Sequence, residues 1–361
     1  MGIQEEYMDK IRLAILDDDK IYAERLIKVC SEMLANELEI YIYSNVEQAL
    51  KQLKLNRIDV LLSTEAYQID KEQMPVRCAL AYLAESNKVE KIFDQKAICK
   101  YQRVDVLYKE IAQIYAENIE NIKNFKSGNA GSNIILFMSA SGGVGATSAA
   151  VACAINIAKA EKKVLYLNLQ NLGNSDLYFN GPGNMNFGEV IYAVKSKKSN
   201  FSLILENTAK KDETGVMFYS PSKTPLDVTE LTADDIEVLL DELSKNNLFD
   251  YIVLDTDTLI SPRMIKILKK VYSIVLVSDG SDVSNDRMKK LYEAFEIIEE
   301  RNELDILSVL NVIYNKFIEG TGNTVLEDKF NMLGKMAAFR GATNKEVIEE
   351  MVRCNLCASL Y

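Results

Sequence analysis

"NIILFMSASGGVGATSAA" occupies residues 133–150, and its reading decides the fold of the larger part of the chain. The apolar run "NIILFM" predicts a buried strand. A turn with three glycines follows. Then "TSAAVACAINIAKAEK", residues 147–162, predicts a helix. A strand, a glycine turn and a helix N-terminus together make an anion site. Backbone N–H groups converge at the turn, and the helix dipole adds about half a positive charge. Gly142, Gly143 and Gly145 permit close backbone approach and unusual dihedrals. Thr147 falls where such loops place a hydroxyl on Mg²⁺. The expected phosphate cradle is Ser141, Gly142, Gly143, Val144, Gly145, Ala146, Thr147 and Ser148. The lysine that such loops carry is missing.

Downstream, "VLYLNLQ" (164–170) and "FDYIVLDTD" (249–257) read as strands of the same sheet. The second ends in the carboxylate of Asp255. "VLNVIYNKF" (309–317) reads as a late strand carrying Asn315, and Arg340 follows in "AAFRGATNKEVIEEM" (337–351).

Upstream, "KIRLAILDDDK" (10–20) predicts a strand over Ile11–Leu16 that closes on three aspartates. "YAERLIKVCSEML" (22–34) has helical spacing, with Leu26, Val29, Cys30 and Met33 on one face. "LEIYIYS", "VEQALKQLKL", "IDVLLST", "VRCALAYL", "KAICK" and "RVDVLYKEIAQIYAENI" continue the alternation, for about five βα units in all. "NFKSGNAGSN" (124–133) is rich in Gly, Ser and Asn and reads as a flexible linker. The expected organisation is α/β in two domains: 1–126, a flavodoxin-like parallel sheet; 127–133, the linker; 134–361, a larger P-loop parallel sheet with helices on both faces.

Composition excludes several functions. A chain of 361 residues exceeds what one core usually fills. It has no histidine, so imidazole bases and imidazole metal sites are absent. Its formal charge of −11 argues against nucleic acid as a partner. The basic run "KSKK" (195–198) reads as a solvated loop. No apolar run is long enough to span a membrane and no leader pattern opens the chain, so a cytoplasmic protein is expected. The six cysteines read as reduced and buried, and the lone "CNLC" (354–357) as packing. The acidic closing stretch "NKEVIEEMVRCNLCASLY" reads as a domain-closing helix rather than a membrane-surface one.

The first region resembles the receiver domain of response regulators over roughly residues 9–123. The resemblance maps Asp17 and Asp18 onto that family's acidic pair and Lys100 onto the lysine ending its fifth strand. Thr64 stands where the phosphoacceptor aspartate would be, and Tyr101 where a proline would follow the lysine. A threonine cannot act as the carboxylate nucleophile. The implied role is therefore a protein-interaction module rather than a phosphorylation switch.

The second region, about 132–360, resembles the MinD/ParA family of ATPases with a deviant Walker A loop. Ser141 stands at that family's signature lysine and Ala146 at the ordinary P-loop lysine. Asn168 and Gln170 stand where the family usually has carboxylates. Asp255 matches the Walker B aspartate that organises the Mg²⁺ shell, and Asn315 the asparagine of the late strand's Asn-Lys/Arg pair that recognises the adenine. Arg340 lies near the base by analogy. Arg263, in "SPRM", is a candidate substitute cation.

The pairing of the two regions resembles the TadZ/CpaE proteins of tad-type pilus assembly. The resemblance implies ATP and Mg²⁺ as cofactors and weak or no hydrolysis. It also implies a homodimer closed over the nucleotide face, with pilus-assembly or polar proteins docked on the receiver-like unit. The alternatives are an active MinD-like ATPase switch and a response regulator with an ATPase-like output domain.

Overall fold

The computed structural model describes residues 10–361 except 36, 57, 76, 77, 129, 130, 246, 247, 303, 327, 328 and 340, with backbone alone at 54, 55, 72 and 119–128. The chain divides into two compact units, Met1–Phe125 and Lys126–Tyr361.

The first unit runs β1 (Ile11–Leu16), α1 (Lys20–Met33), β2 (Leu38–Tyr43), α2 (Val46–Leu55), β3 (Val60–Thr64), β4 (Ala79–Ala84), β5 (Lys91–Ile92), β6 (Gln95–Cys99) and α3 (Val104–Gly128). Its sheet order is β2-β1-β3-β4-β6-β5, parallel except for the β5–β6 hairpin. The strands are apolar on both faces because each face carries its own core. Leu13, Ile15, Val60 and Leu62 pack toward one core, and Ala14, Leu16, Leu61 and Tyr82 toward the other.

Five βα units are not what forms. Among the described residues only α1, α2 and α3 are α-helices; a single 3₁₀ turn at Lys71–Gln73 stands between β3 and β4. The β5–β6 hairpin stands where the helix before the fifth strand was expected. "NKVEKIFDQK" has no apolar stripe of helical period, and Phe93 and Asp94 take positive φ at its turn. The buried stripe of α1 is Ala23, Leu26 and Cys30, while Met33 is exposed. The spacing 23-26-30 keeps to one helix face, and Met33 is the last residue of the helix. Residues 124–128, read as linker, continue α3. Nothing in "NFKS" breaks a helix, and glycine ends it.

The second unit runs β7 (Asn133–Met138), α4 (Ala146–Lys159), β8 (Val164–Asn168), α5 (Phe187–Lys195), α6 (Phe201–Thr208), β9 (Lys210–Lys211), β10 (Met217–Phe218), α7 (Ala233–Lys245), β11 (Tyr251–Asp255), α8 (Pro262–Leu268), β12 (Ser273–Ser278), α9 (Asp282–Asn302), β13 (Leu310–Phe317), β14 (Asn331–Ala337) and α10 (Asn344–Cys354). The order is β14-β13-β12-β7-β11-β8-β10-β9, parallel but for the edge strand β9. Two cores lie on its two faces. Leu136, Leu165, Leu254 and Leu276 face α5, α7, α8 and α9; Phe137, Tyr166, Val253 and Val275 face α4 and α10. With neighbouring strands parallel, β7, β8, β11 and β13 all end at one edge, and that edge gathers the residues of the site.

The closing stretch forms α10, opened by a capping box of Thr343 and Glu346 and stopped by Asn355 at φ 47°. It packs against α4 through Ile348 and Met351. Cys357 is buried beside Cys153 and Cys354 is exposed. No helix of the described residues is long and apolar enough to cross a membrane.

Candidate functional site

The loop between β7 and α4 has the shape its glycines allow. Gly143 and Gly145 take φ of +76° and +95°, and Gly145 caps α4. A Cβ added at Gly142 or Gly143 would meet nothing within 4 Å, so the loop leaves open space on that side. At Gly145 a Cβ would lie 2.4 Å from the Asn315 amide nitrogen. Gly145→Ala is therefore expected to lower stability by about 2 kcal/mol or more, from left-handed strain and the disturbed amide. Gly142→Ala should change it little. Urea unfolding of the two variants checks the contrast.

Asp255 lies at the end of β11, fully buried. Its Oδ2 accepts a 2.8 Å bond from the Tyr166 hydroxyl. Its Oδ1 is buried with no hydrogen-bond partner of normal geometry. Burial pushes the carboxyl up to about 6, against the opposing pull of the Tyr166 and Thr147 hydroxyls. An unpartnered buried carboxylate oxygen beside a threonine hydroxyl fits a hard divalent cation, since Mg²⁺ takes oxygen ligands and would stabilise the ionised form. Thr147 and Asp255 are the residues that would hold it.

Neutral groups link these two residues. The Asn168 amide donates to Tyr166 Oη at 3.2 Å and its Oδ1 accepts from Gln170 N at 2.9 Å. The Gln170 amide donates to Thr147 Oγ1 at 3.2 Å. Asn168 fits only because residue 173 is glycine; a Cβ there would fall 2.1 Å from its Oδ1. Tyr166 is a member the sequence reading missed. It lies in an apolar run, and only its pairing across β11 gives its hydroxyl a role. Asp257 accepts from Asn171 N at 2.8 Å, and Thr258 accepts from Ser139 N at 3.1 Å, which ties the three loops together.

Other expected residues sit differently. Asn315, expected on the base, is buried, and its amide nitrogen donates to the Val144 carbonyl at 2.7 Å. It braces the loop, because the strand end brings it against α4's glycine cap. The Ser141 hydroxyl is buried without a partner, so position 141 turns inward. Arg263 lines a crevice with Asn171, Thr256 and Asp257, but its guanidinium donates to the Val228 carbonyl at 2.8 Å. Arg340 lies outside the described residues.

In the first unit the three aspartates after β1 are already engaged. Asp17 pairs with Lys100 at 2.7 Å, both nearly buried. Asp18 accepts from the Tyr67 hydroxyl. Asp19 caps α1 through Tyr22 N at 3.0 Å and lies 3.4 Å from Lys100 Nζ. The Lys100 ammonium also stands over the Tyr22 ring, 4.5 Å from its centroid. Asp19 was not singled out in the sequence, although a polar residue before a helical run is a cap signal. Thr64 ends β3, half-buried. Among the described residues no group of three or more acidic or cysteine side chains is arranged to hold a metal.

Residues 9–116 match the family described as TadZ-like, receiver domain. Residues 132–307 match the AAA domain family. No curated protein matches the chain. Among solved structures, a ParA family ATPase from Chlorobium tepidum is 14% identical, with 62% of this chain and 90% of that one covered at a TM-score of 0.49. The septum site-determining protein MinD from Pyrococcus horikoshii, complexed with Mg-ADP, is 14% identical, with 62% and 86% covered at 0.47. A plasmid partition protein from Borrelia burgdorferi, bound to AMPPNP, is 16% identical, with 64% and 99% covered at 0.45. A receiver-type sheet whose acidic cluster is occupied by its own lysine is followed by a glycine loop facing a buried aspartate, and both units carry a family match: the chain joins a TadZ-like receiver domain to an AAA domain.

Proposed function

We propose that the second unit holds ATP with Mg²⁺, turns it over slowly or not at all, and thereby stabilises a homodimer. The carrying observation is the open glycine loop set against Asp255, whose buried Oδ1 has no partner. The backbone of residues 141–148 would hold the phosphates, and Thr147 and Asp255 the cation.

Magnitudes separate binding from turnover. Losing one lysine–phosphate contact weakens binding by about 10- to 150-fold. Losing a positive group from the transition state costs about 10³–10⁵ in rate. Binding survives the first loss; hydrolysis does not survive the second. Asn168 and Gln170 cannot accept a proton, and their amides are spent on Tyr166 and Thr147.

The dimer is supported by apolar side chains exposed beside the same edge. Leu172 and Leu177 follow β8, and Leu259 and Ile260 follow β11. A ligand bound between two copies stabilises their association by mass action, and slow turnover makes it persist. The first unit then serves as a docking module for pilus-assembly or polar proteins. The TadZ-like match and the lack of a nucleophile at Thr64 support that role.

The test is the nucleotide content of freshly purified protein, read by ion exchange after denaturation, with mass from light scattering. The expected result is ATP on a dimer, with phosphate release at or near background. An empty protein that stays monomeric at saturating ATP and Mg²⁺ would overturn the reading.

A further inference from the structure

Three donors in a row fix which oxygen of Asp255 is left free. The Gln170 backbone N–H donates to Asn168 Oδ1 at 2.9 Å, so the amide end of that side chain is the one that faces Tyr166. That end donates to Tyr166 Oη at 3.2 Å. A phenol oxygen that accepts a hydrogen bond still has a single proton to give. The proton goes to Asp255 Oδ2, 2.8 Å away. Oδ2 is thereby held, and Oδ1 is the buried oxygen without a partner. The strands supply the geometry. Asn168 lies opposite Asp255 and Tyr166 opposite Val253 in the pairing of β8 with β11. Residues two apart on a strand share a face, so Tyr166, Asn168 and Asp255 all stand on the side of α4, which carries Thr147. Tyr166 is fully buried, and its ring packs on Phe179 with centroids 5.2 Å apart.

The identity of residue 168 then depends on residue 166. A carboxylate has acceptors only. At position 168 it would still accept from Gln170 N, but its second oxygen would take the phenol's proton instead of donating to the phenol. One proton would then serve two carboxylates, and Asp255 Oδ2 would lose its donor. The asparagine therefore matches the tyrosine, and Gly173 gives it the room to do so.

We infer that Tyr166, oriented by Asn168, is a positioning residue for the divalent cation. It fixes Asp255 Oδ2 and leaves Oδ1 for the ion, and positions 166 and 168 work only as a matched pair. The inference rests on the nucleotide and Mg²⁺ reading above. It gives Asn168 a task of its own in place of the carboxylate's.

The test is titration calorimetry of ATP into the full-length wild type, Y166F, N168D and Y166F/N168D, once with Mg²⁺ and once with EDTA. The ratio of the two affinities reports the cation, and the EDTA value alone reports the loop. Folding of each variant is checked by circular dichroism without nucleotide. Y166F is expected to lower the Mg²⁺ enhancement by about 10- to 100-fold while the EDTA affinity stays nearly unchanged, since a group that orients a metal ligand is worth about that much. N168D should lower the enhancement too, although it adds negative charge beside the ion. In the Y166F background the same change should raise it. A Y166F enhancement within about twofold of wild type, far below the expected loss, would overturn the inference and leave the nucleotide site standing. So would an N168D enhancement equal to or above wild type, since added charge and not the phenol's proton would then set the site; this arm holds whether or not Y166F folds. A wild type that binds ATP equally with Mg²⁺ and with EDTA would overturn the cation reading, one that binds no ATP the nucleotide reading, and the inference falls with either.

Discussion

Lys100→Met is expected to cost the first unit about 3–5 kcal/mol, because it strands the Asp17 carboxylate in a buried position. Asp17 is 5% exposed and Lys100 8%, so water cannot replace the lost partner. The total stability of such a domain is about 5–15 kcal/mol, so this single change takes a large share of it. The double variant D17N/K100M should recover most of the loss, since removing both charges leaves no uncompensated ion. The chain has no tryptophan, so far-ultraviolet circular dichroism during urea unfolding is the suitable readout. If K100M unfolds like the wild type, the pair is not the buried anchor described here.

The second large effect concerns Asp255. Its pKa is raised to about 6 in the folded chain, from 3.8 for the free side chain. The sign follows from linkage. A carboxyl whose folded pKa is raised contributes its stability in the neutral form, below the unfolded pKa, and that contribution is lost as pH rises through the folded pKa. Between about pH 4 and pH 7 the group costs the wild type about 3 kcal/mol at 1.36 kcal/mol per unit. Asp255→Asn cannot ionise. The stability difference between D255N and wild type is therefore expected to shift by about that amount in favour of the variant over the same range. Unfolding at several pH values without nucleotide measures it, and a pH-independent difference would show that Asp255 is not held in a dry site. The buried amide of the variant also needs a partner, which adds an offset that does not depend on pH.

Much of the molecule was legible in the sequence because its signals are local. Parallel sheets buried on both faces require short continuous apolar runs, and those runs placed β1, β3, β7, β8, β11 and β13. The glycine loop announced itself because backbone geometry at Gly143 and Gly145 demands that residue type. The replacements Ser141, Ala146, Asn168 and Gln170 could also be read directly, as could the threonine where a nucleophile would be.

What tertiary structure alone decided is which of these groups meet. Tyr166 bonds to Asp255 because β8 and β11 pair in one register. Asp17 and Lys100 are 83 residues apart and become a buried pair only when β1 and β6 end at the same edge. Asn315 braces the loop, and Lys316 reaches it, because a bulge in β13 breaks strand alternation. The missing helices of the first unit and the helical residues 124–128 follow the same logic. Propensity there is weak, and the outcome depends on what the sheet offers to pack against. The sequence by itself determined the residue types and the two α/β units. The fold decided the partners, because burial and charge compensation are properties of positions brought together across the chain.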